Sequence, residues 1–154
     1  MSTHFENGKA VMVDVSTKEE TFREAVAVST LELPSAALDA LQAGGVGKGD
    51  AVAVAELAGI MGAKRTSELI PLCHPLPLTK VSVVGEVDVE RARVQFTATC
   101  RVTGKTGVEM EALTAASVAA LTLYDMLKAA SKGIVIRETK LLSKTGGKSG
   151  EWHA

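Results

Sequence analysis

Val81-Ser82-Val83-Val84-Gly85-Glu86-Val87-Asp88-Val89, followed after a short break by Val94-Gln95-Phe96-Thr97-Ala98-Thr99-Cys100-Arg101-Val102, is the stretch that decides the fold. Side chains of a strand alternate between two faces, so Val81, Val83, Gly85, Val87 and Val89 share one face, against Ser82, Val84, Glu86 and Asp88. The second run repeats the pattern, with Val94, Phe96, Ala98, Cys100 and Val102 set against Gln95, Thr97, Thr99 and Arg101. Glu90 to Arg93 closes the two runs into an antiparallel hairpin.

Downstream, Glu109 to Ser131 contains neither glycine nor proline and sets Met110, Leu113, Ser117, Ala120, Tyr124 and Leu127 at helical spacing, with Gly133 as the stop. Ile134 to Leu142 alternates as a final strand. Upstream, Arg23 to Leu33 reads as an extended stretch, and Ala10 to Val15 as a strand with Val11, Val13 and Val15 on one side and Met12 and Asp14 on the other. Pro34 suits the start of a short helix through Gln42 ended by Gly44-Gly45, and Asp50 the N-cap of an apolar helix, Ala51 to Met61. Interspersed strands and helices around a hairpin imply an α+β fold, one antiparallel sheet with helices on one face, in a ferredoxin-like arrangement.

With 154 residues, 46% of them hydrophobic, the chain can bury one core but not two ordinary domains. Net charge is −1 and the 17 Lys and Arg are dispersed, so positive charge acts locally and no nucleic-acid surface is indicated. Aromatics at 3% leave few platforms for stacking bases. The N-terminus has no apolar core of a signal peptide, and no stretch is expected to approach membrane-spanning length. Cys73 and Cys100 form no CxxC pair, which argues for a reducing compartment and a cytoplasmic protein.

Candidate chemistry gathers in four places. Pro71-Leu72-Cys73-His74-Pro75-Leu76-Pro77 holds three of the four prolines, which stiffen the loop presenting Cys73 and His74. Histidine can carry protons or bind phosphate, or it can simply be a hydrogen-bonded loop residue. A zinc site would need ligands that only His4 and His153 could add, so no metal is expected. Asp125 and Lys128, three apart on one helix, are neighbours, and Glu111 falls within about 40° of Asp125 around the axis at 100° per residue. A surface ion pair is the plain alternative for Asp125 and Lys128, and helix-dipole compensation for Glu109 and Glu111. Lys48 between two glycines, and Lys64 with Arg65, are the cations for an anionic ligand. The tail Lys144 to Gly150 is like a phosphate loop only in composition.

Seven segments in unbroken order, from Met12-Val13-Asp14-Val15-Ser16 through Lys48-Gly49-Asp50, Ala63-Lys64-Arg65-Thr66-Ser67, Ile70 to Leu76, Thr106 to Leu113 and Tyr124-Asp125-Met126-Leu127-Lys128 to Gly146-Gly147-Lys148-Ser149-Gly150, resemble the C protein family of molybdenum cofactor biosynthesis. The resemblance implies a hexamer, a trimer of dimers, with each site shared across a dimer interface. It also implies conversion of a cyclised dihydroguanosine triphosphate, supplied by an upstream radical enzyme, to cyclic pyranopterin monophosphate with release of diphosphate, a lyase reaction. By position, Leu72, Cys73, His74, Met110 and Glu111 would line the substrate and Asp125 would be catalytic. Lys48 and Lys128 are expected to move protons through a lowered pKa, while Asp125 orients Lys128. His74, Lys64 and Arg23 would neutralise the triphosphate, with Glu109 and Asp14 completing the binding set. No resident cofactor is implied; magnesium is the one ion that could accompany the triphosphate. On this reading residues 10–143 form the catalytic domain between flexible tails at 1–9 and 144–154. The rivals are a non-catalytic anion-binding regulatory module, using the same lysines as contacts, and a metal-dependent hydrolase built on Cys73 and His74.

Overall fold

A computed structural model describes residues 3–44 and 50–154. A small hairpin comes first, β1 (Phe5–Glu6) and β2 (Lys9–Ala10), turned at Asn7 and Gly8, both at positive φ as a two-residue hairpin turn requires. Then follow β3 (Thr21–Glu32), α1 (Ser35–Gln42), α2 (Ala51–Lys64), α3 (Thr66–Leu69), β4 (Lys80–Asp88), β5 (Arg93–Gly104), α4 (Glu109–Leu127), β6 (Val135–Thr145) and β7 (Trp152–His153). The main sheet runs β4-β5-β3-β6-β7 with every neighbouring pair antiparallel. The α+β architecture is as the sequence implies.

The alternation read in the hairpin is realised on β5, where Val94, Phe96, Ala98, Cys100 and Val102 are all fully buried and Gln95 and Thr103 on the other face are exposed. On edge strand β4 only Val83 of the expected face is buried; Val87, and Val89 just past the strand, are exposed. Central β3 adds Ala25, Ala27 and Leu31 to that face, where α4 packs. The helix presents Ala112, Ala115, Ala116, Ala119 and Ala120, each fully buried, so its backbone comes close to the sheet and to α2. Glycines in α2 permit the second approach. A Cβ at Gly59 would lie 2.8 Å from the Ala115 carbonyl, and one at Gly62 the same distance from Val118. Asp50 caps α2 as expected, its carboxylate accepting from the Val52 and Ala53 amides.

Four expectations are corrected. Residues 11–15 are not a strand, although Val11, Val13 and Val15 remain half-buried and Met12 and Asp14 exposed. Their alternation survives without a ladder because the Val13 carbonyl bonds the His74 ring instead of a neighbouring strand. The long helix stops at Leu127 and not Ser131: the Ala130 and Ser131 amides both turn back to the Leu127 carbonyl, and the Tyr124 hydroxyl closes the turn on the Lys132 carbonyl. The final strand does not end at Leu142 but continues to Thr145, because β3 pairs with it as far as Glu24, and Trp152–His153 then adds a further strand. Finally, α4 at 19 residues with mean hydropathy 1.2 is long and apolar enough to cross a membrane by length and composition alone. Its contacts with β3, β5, β6 and α2 make it the central helix of the layer.

Candidate active site

The proline-bounded loop delivers Cys73 and His74 to the N-terminal end of α4. Thr66, buried with its hydroxyl donating to the Gly62 and Ala63 carbonyls, ends α2 and sets the direction of the chain into that loop. The Cys73 thiol then donates to Glu111 Oε2 at 3.7 Å. Glu111 is only 3% exposed, and its other oxygen, Oε1, has no hydrogen-bond partner among the described residues. An ionised carboxylate so placed has lost water without full replacement, and burial accordingly raises the Glu111 pKa. Burial, then the nearby Glu111 charge, pushes the Cys73 thiol to about 11. Cys73 is therefore a neutral thiol at physiological pH and not a ready thiolate nucleophile. Among the described residues no group of three or more His, Cys, Asp or Glu side chains is placed to hold a metal ion.

His74 Nε2 lies 2.6 Å from the Val13 carbonyl. A carbonyl only accepts, so Nε2 carries the hydrogen and Nδ1 is left as the position for proton exchange or an anionic ligand. One residue further on, exposed Asp14 accepts from the Ser16 amide and hydroxyl, bonds that hold its pKa below the usual carboxylate range. Lys105 reaches the Ser16 carbonyl, and Arg23 donates Nε to the Gly104 carbonyl and Nη2 to that of Lys105. Glu109 pairs with Lys144 at 3.6 Å. Cys73, His74, Glu111, Glu109, Asp14 and Arg23 thus gather around one end of the molecule, with Leu72 and Met110 adjoining along the chain.

Asp125 and Lys128 do not join them. They pair at 2.7 Å, but fourteen residues of helix separate Asp125 from Glu111, about 21 Å at 1.5 Å per residue. Their side chains are 70% and 53% exposed. The expectation of a lowered lysine pKa is reversed here: the Asp125 hydrogen bond, reinforced by its charge, raises that of Lys128. Lys64 stands exposed in the last turn of α2, and Lys48 lies outside the described residues. Lys105 and Lys144 escaped the sequence reading. Extending the β6 alternation two residues past Leu142 would have carried the strand to Lys144, opposite Ala25 in the register.

This is a chain with proton-carrying groups at one end, an exposed ion pair at the other, and cations around both. Residues 12–147 match the MoaC family model. The chain is 60% identical over 153 residues to the cyclic pyranopterin monophosphate synthase of Rhodospirillum rubrum, covering 99% of this chain and 92% of that protein. It is 53% identical over 152 residues to the protein of the same name from Clostridium perfringens, covering 98% and 96%. The match takes in both ends of α4, the proline-bounded loop and the strands that carry Arg23 and Lys144, and the chain belongs to the MoaC family.

Proposed function

We propose that the protein is a cyclic pyranopterin monophosphate synthase of molybdenum cofactor biosynthesis. It converts (8S)-3',8-cyclo-7,8-dihydroguanosine 5'-triphosphate to cyclic pyranopterin monophosphate and releases diphosphate, as a lyase. The observation that carries this reading is the near-complete likeness to two proteins so named. The strand order, with helices between β3 and β4 and between β5 and β6, supports the ferredoxin-like description.

The reaction reopens and recloses a purine-derived ring system, which needs protons moved several times, and closes a cyclic phosphate as the bond to diphosphate breaks. Lys128, held as an ammonium by Asp125, begins as a proton donor, and once it has given up a proton it becomes the base. Asp125 orients it and favours its return to the charged form. Lys48 is the second amine of this set. Glu111, whose burial favours the protonated carboxyl, and the neutral Cys73 thiol offer hydrogen bonds to the heterocycle beside Leu72 and Met110. His74 presents Nδ1 and, with Lys64 and Arg23, meets the phosphates, while Glu109 and Asp14 complete the substrate-binding set. No resident cofactor is assigned; magnesium would arrive with the triphosphate.

Because about 21 Å of helix separates Glu111 from Asp125, one substrate cannot reach both in a single chain. We therefore take each site to be shared by two copies in a dimer, three dimers forming a hexamer. Exposed Leu57 and Met61 on α2 and Leu121 on α4 are apolar surface that assembly would cover. The two free cysteines suit a cytoplasmic setting. The test is complementation. Glu111→Ala and Asp125→Ala proteins, each inactive alone, are unfolded together and reassembled; random pairing should restore about a quarter of parental pterin formation. Activity no higher than either variant alone sinks the shared site. Absence of pterin product from the parent protein sinks the synthase reading itself.

A further inference from the structure

Tyr124 is the single tyrosine of the chain, and it stands between the hydrophobic core and the exposed end of α4 that carries Lys128. Its ring packs against the buried cluster, while its hydroxyl donates to the Lys132 carbonyl at 2.8 Å. An aromatic body with a polar tip has only two side-chain torsions to fix, and here both ends are engaged. The side chain is a strut.

It spans a turn that helical hydrogen bonding does not hold. Beyond Leu127 the Ala130 and Ser131 amides turn back to the Leu127 carbonyl, at 2.9 and 3.4 Å, and the Gly133 amide bonds Ser131 Oγ at 3.1 Å. Ile134, 5% exposed, then re-enters the core, and Gly133 faces the Pro34 ring, where an added Cβ would come to 3.3 Å. The Tyr124 hydroxyl ties the far half of this turn to the helix it has just left.

Lys128 opens the same turn. It is the C-cap of α4, its amide donating to the Tyr124 carbonyl at 2.9 Å, and residues four apart on a helix surface are neighbours. Asp125, three residues back, takes its Nζ at 2.7 Å. The rise in the Lys128 pKa comes first from the Asp125 hydrogen bond and charge, and Tyr124 adds a smaller part. A flexible lysine stem and one exposed carboxylate hold each other weakly in water, so the pair alone does not fix where the amine stands.

We propose that Tyr124 is a positioning residue for the synthase reaction: its core-packed ring and its hydroxyl bond to Lys132 fix the turn 128–133, and with it the place at which Lys128 offers its amine. The proposal rests on the synthase reading and on the proton-transfer role given to Lys128. Tyr124 acts through Lys128 and not on the substrate.

The experiment compares steady-state pterin formation by the intact protein, Tyr124→Phe, Lys128→Ala and the double variant. Phenylalanine keeps the packing and deletes only the hydroxyl bond. A displaced proton carrier costs rate and not affinity, so kcat should fall about tenfold in Tyr124→Phe with KM unchanged. In the Lys128→Ala background the same change should alter kcat by less than about twofold, because nothing is left to position. Amide hydrogen exchange reads the strut without turnover: protection of Ala130, Ser131 and Gly133 should drop about fivefold in Tyr124→Phe, the worth of one neutral hydrogen bond, with the interior of α4 unchanged. Equal losses of kcat in both backgrounds, a rise in KM alone, or undiminished protection of the turn overturns the proposal and leaves the synthase reading standing. A parent protein that makes no pterin fails the synthase reading instead, and the proposal falls with it whatever the exchange result.

Discussion

The two ends of α4 carry the same kinds of group and treat them in opposite ways. At the N-terminal end Glu111 is 3% exposed, touches a thiol, and has an oxygen without a partner. At the C-terminal end Asp125 is largely exposed and pairs through Oδ1 with Lys128. The first carboxyl is pushed toward its neutral form by burial; the second keeps a neighbouring amine charged. A buried acid is suited to hold a heterocycle, an exposed ion pair to receive and donate protons once something covers it. Between them the alanine face and the glycines of α2 act as a rigid spacer.

The sharpest way to break this comparison is Lys128→Ala. Pterin formation should fall by roughly 10²- to 10⁴-fold, the range for loss of a general acid-base group, with assembly and secondary structure unchanged. Turnover within a few-fold of the parent would make the exposed pair an ordinary surface bridge. The spacer is tested by Gly59→Ala, whose new methyl meets the Ala115 carbonyl and the Val83 and Ala119 side chains. We expect a loss of about 1 to 3 kcal/mol in urea unfolding; an unchanged midpoint would mean the α2–α4 seam can open without penalty.

Glu111→Gln sharpens the buried end. A carboxyl whose pKa is raised on folding binds its proton more tightly in the folded state. Its contribution is therefore fully present below the unfolded value near 4.5 and is lost as pH rises through the raised folded value. The glutamine variant should flatten that part of the stability-pH curve and melt higher than the parent at neutral pH. A parent curve that rises with pH over the same range would contradict the assignment. Cys73 gives a chemical readout of the same environment: its rate of alkylation should climb with pH toward an inflection near 11, and an inflection near 8.5, typical of a free thiol, would place it outside the site. The smallest effect is expected for Asp125→Asn on stability, a change of about 1 °C or less in melting, since exposed pairs contribute little.

Legibility followed periodicity. The strands through Val81 to Val102 and the helix from Glu109 are plain because their apolar residues repeat every two or every three to four positions, but only β5 buries the face so read. On β4 Val87, and just past it Val89, are exposed. On α4 the buried stripe is Ala112, Ala115, Ala116, Ala119 and Leu123, with Met110 exposed, because alanine lets the helix approach the sheet and α2 closely. Asp50 was readable as a cap because a short carboxylate before an apolar run has one obvious set of partners, the amides of Val52 and Ala53. The stretch from Val11 to Val15 misled for the same reason: alternation reports half-burial, and a strand also needs a neighbour to pair with. Around the site, the proline-bounded loop advertised Cys73 and His74, but nothing local foretold that Val13 would accept from the imidazole or that the Cys73 thiol would face Glu111. Lys144 and the loop beyond it, although Gly146–Gly150 carries part of the family resemblance, read as a flexible tail until β3 is seen to pair with β6 up to Glu24.

By itself the sequence determined the class of fold, the elements that carry the chemistry and the family, because periodicity, capping and motif order are properties of neighbouring residues. Angular position on α4 was computable from it too, and suggested that Glu111 and Asp125 share a face. Only the tertiary structure decided that Glu111 is buried while Asp125 is exposed, that His74 offers Nδ1, and that Arg23 and the glycine loop enclose a cleft. The reason is that desolvation and hydrogen-bond partnership are set by which distant segments come together, and no local pattern encodes that.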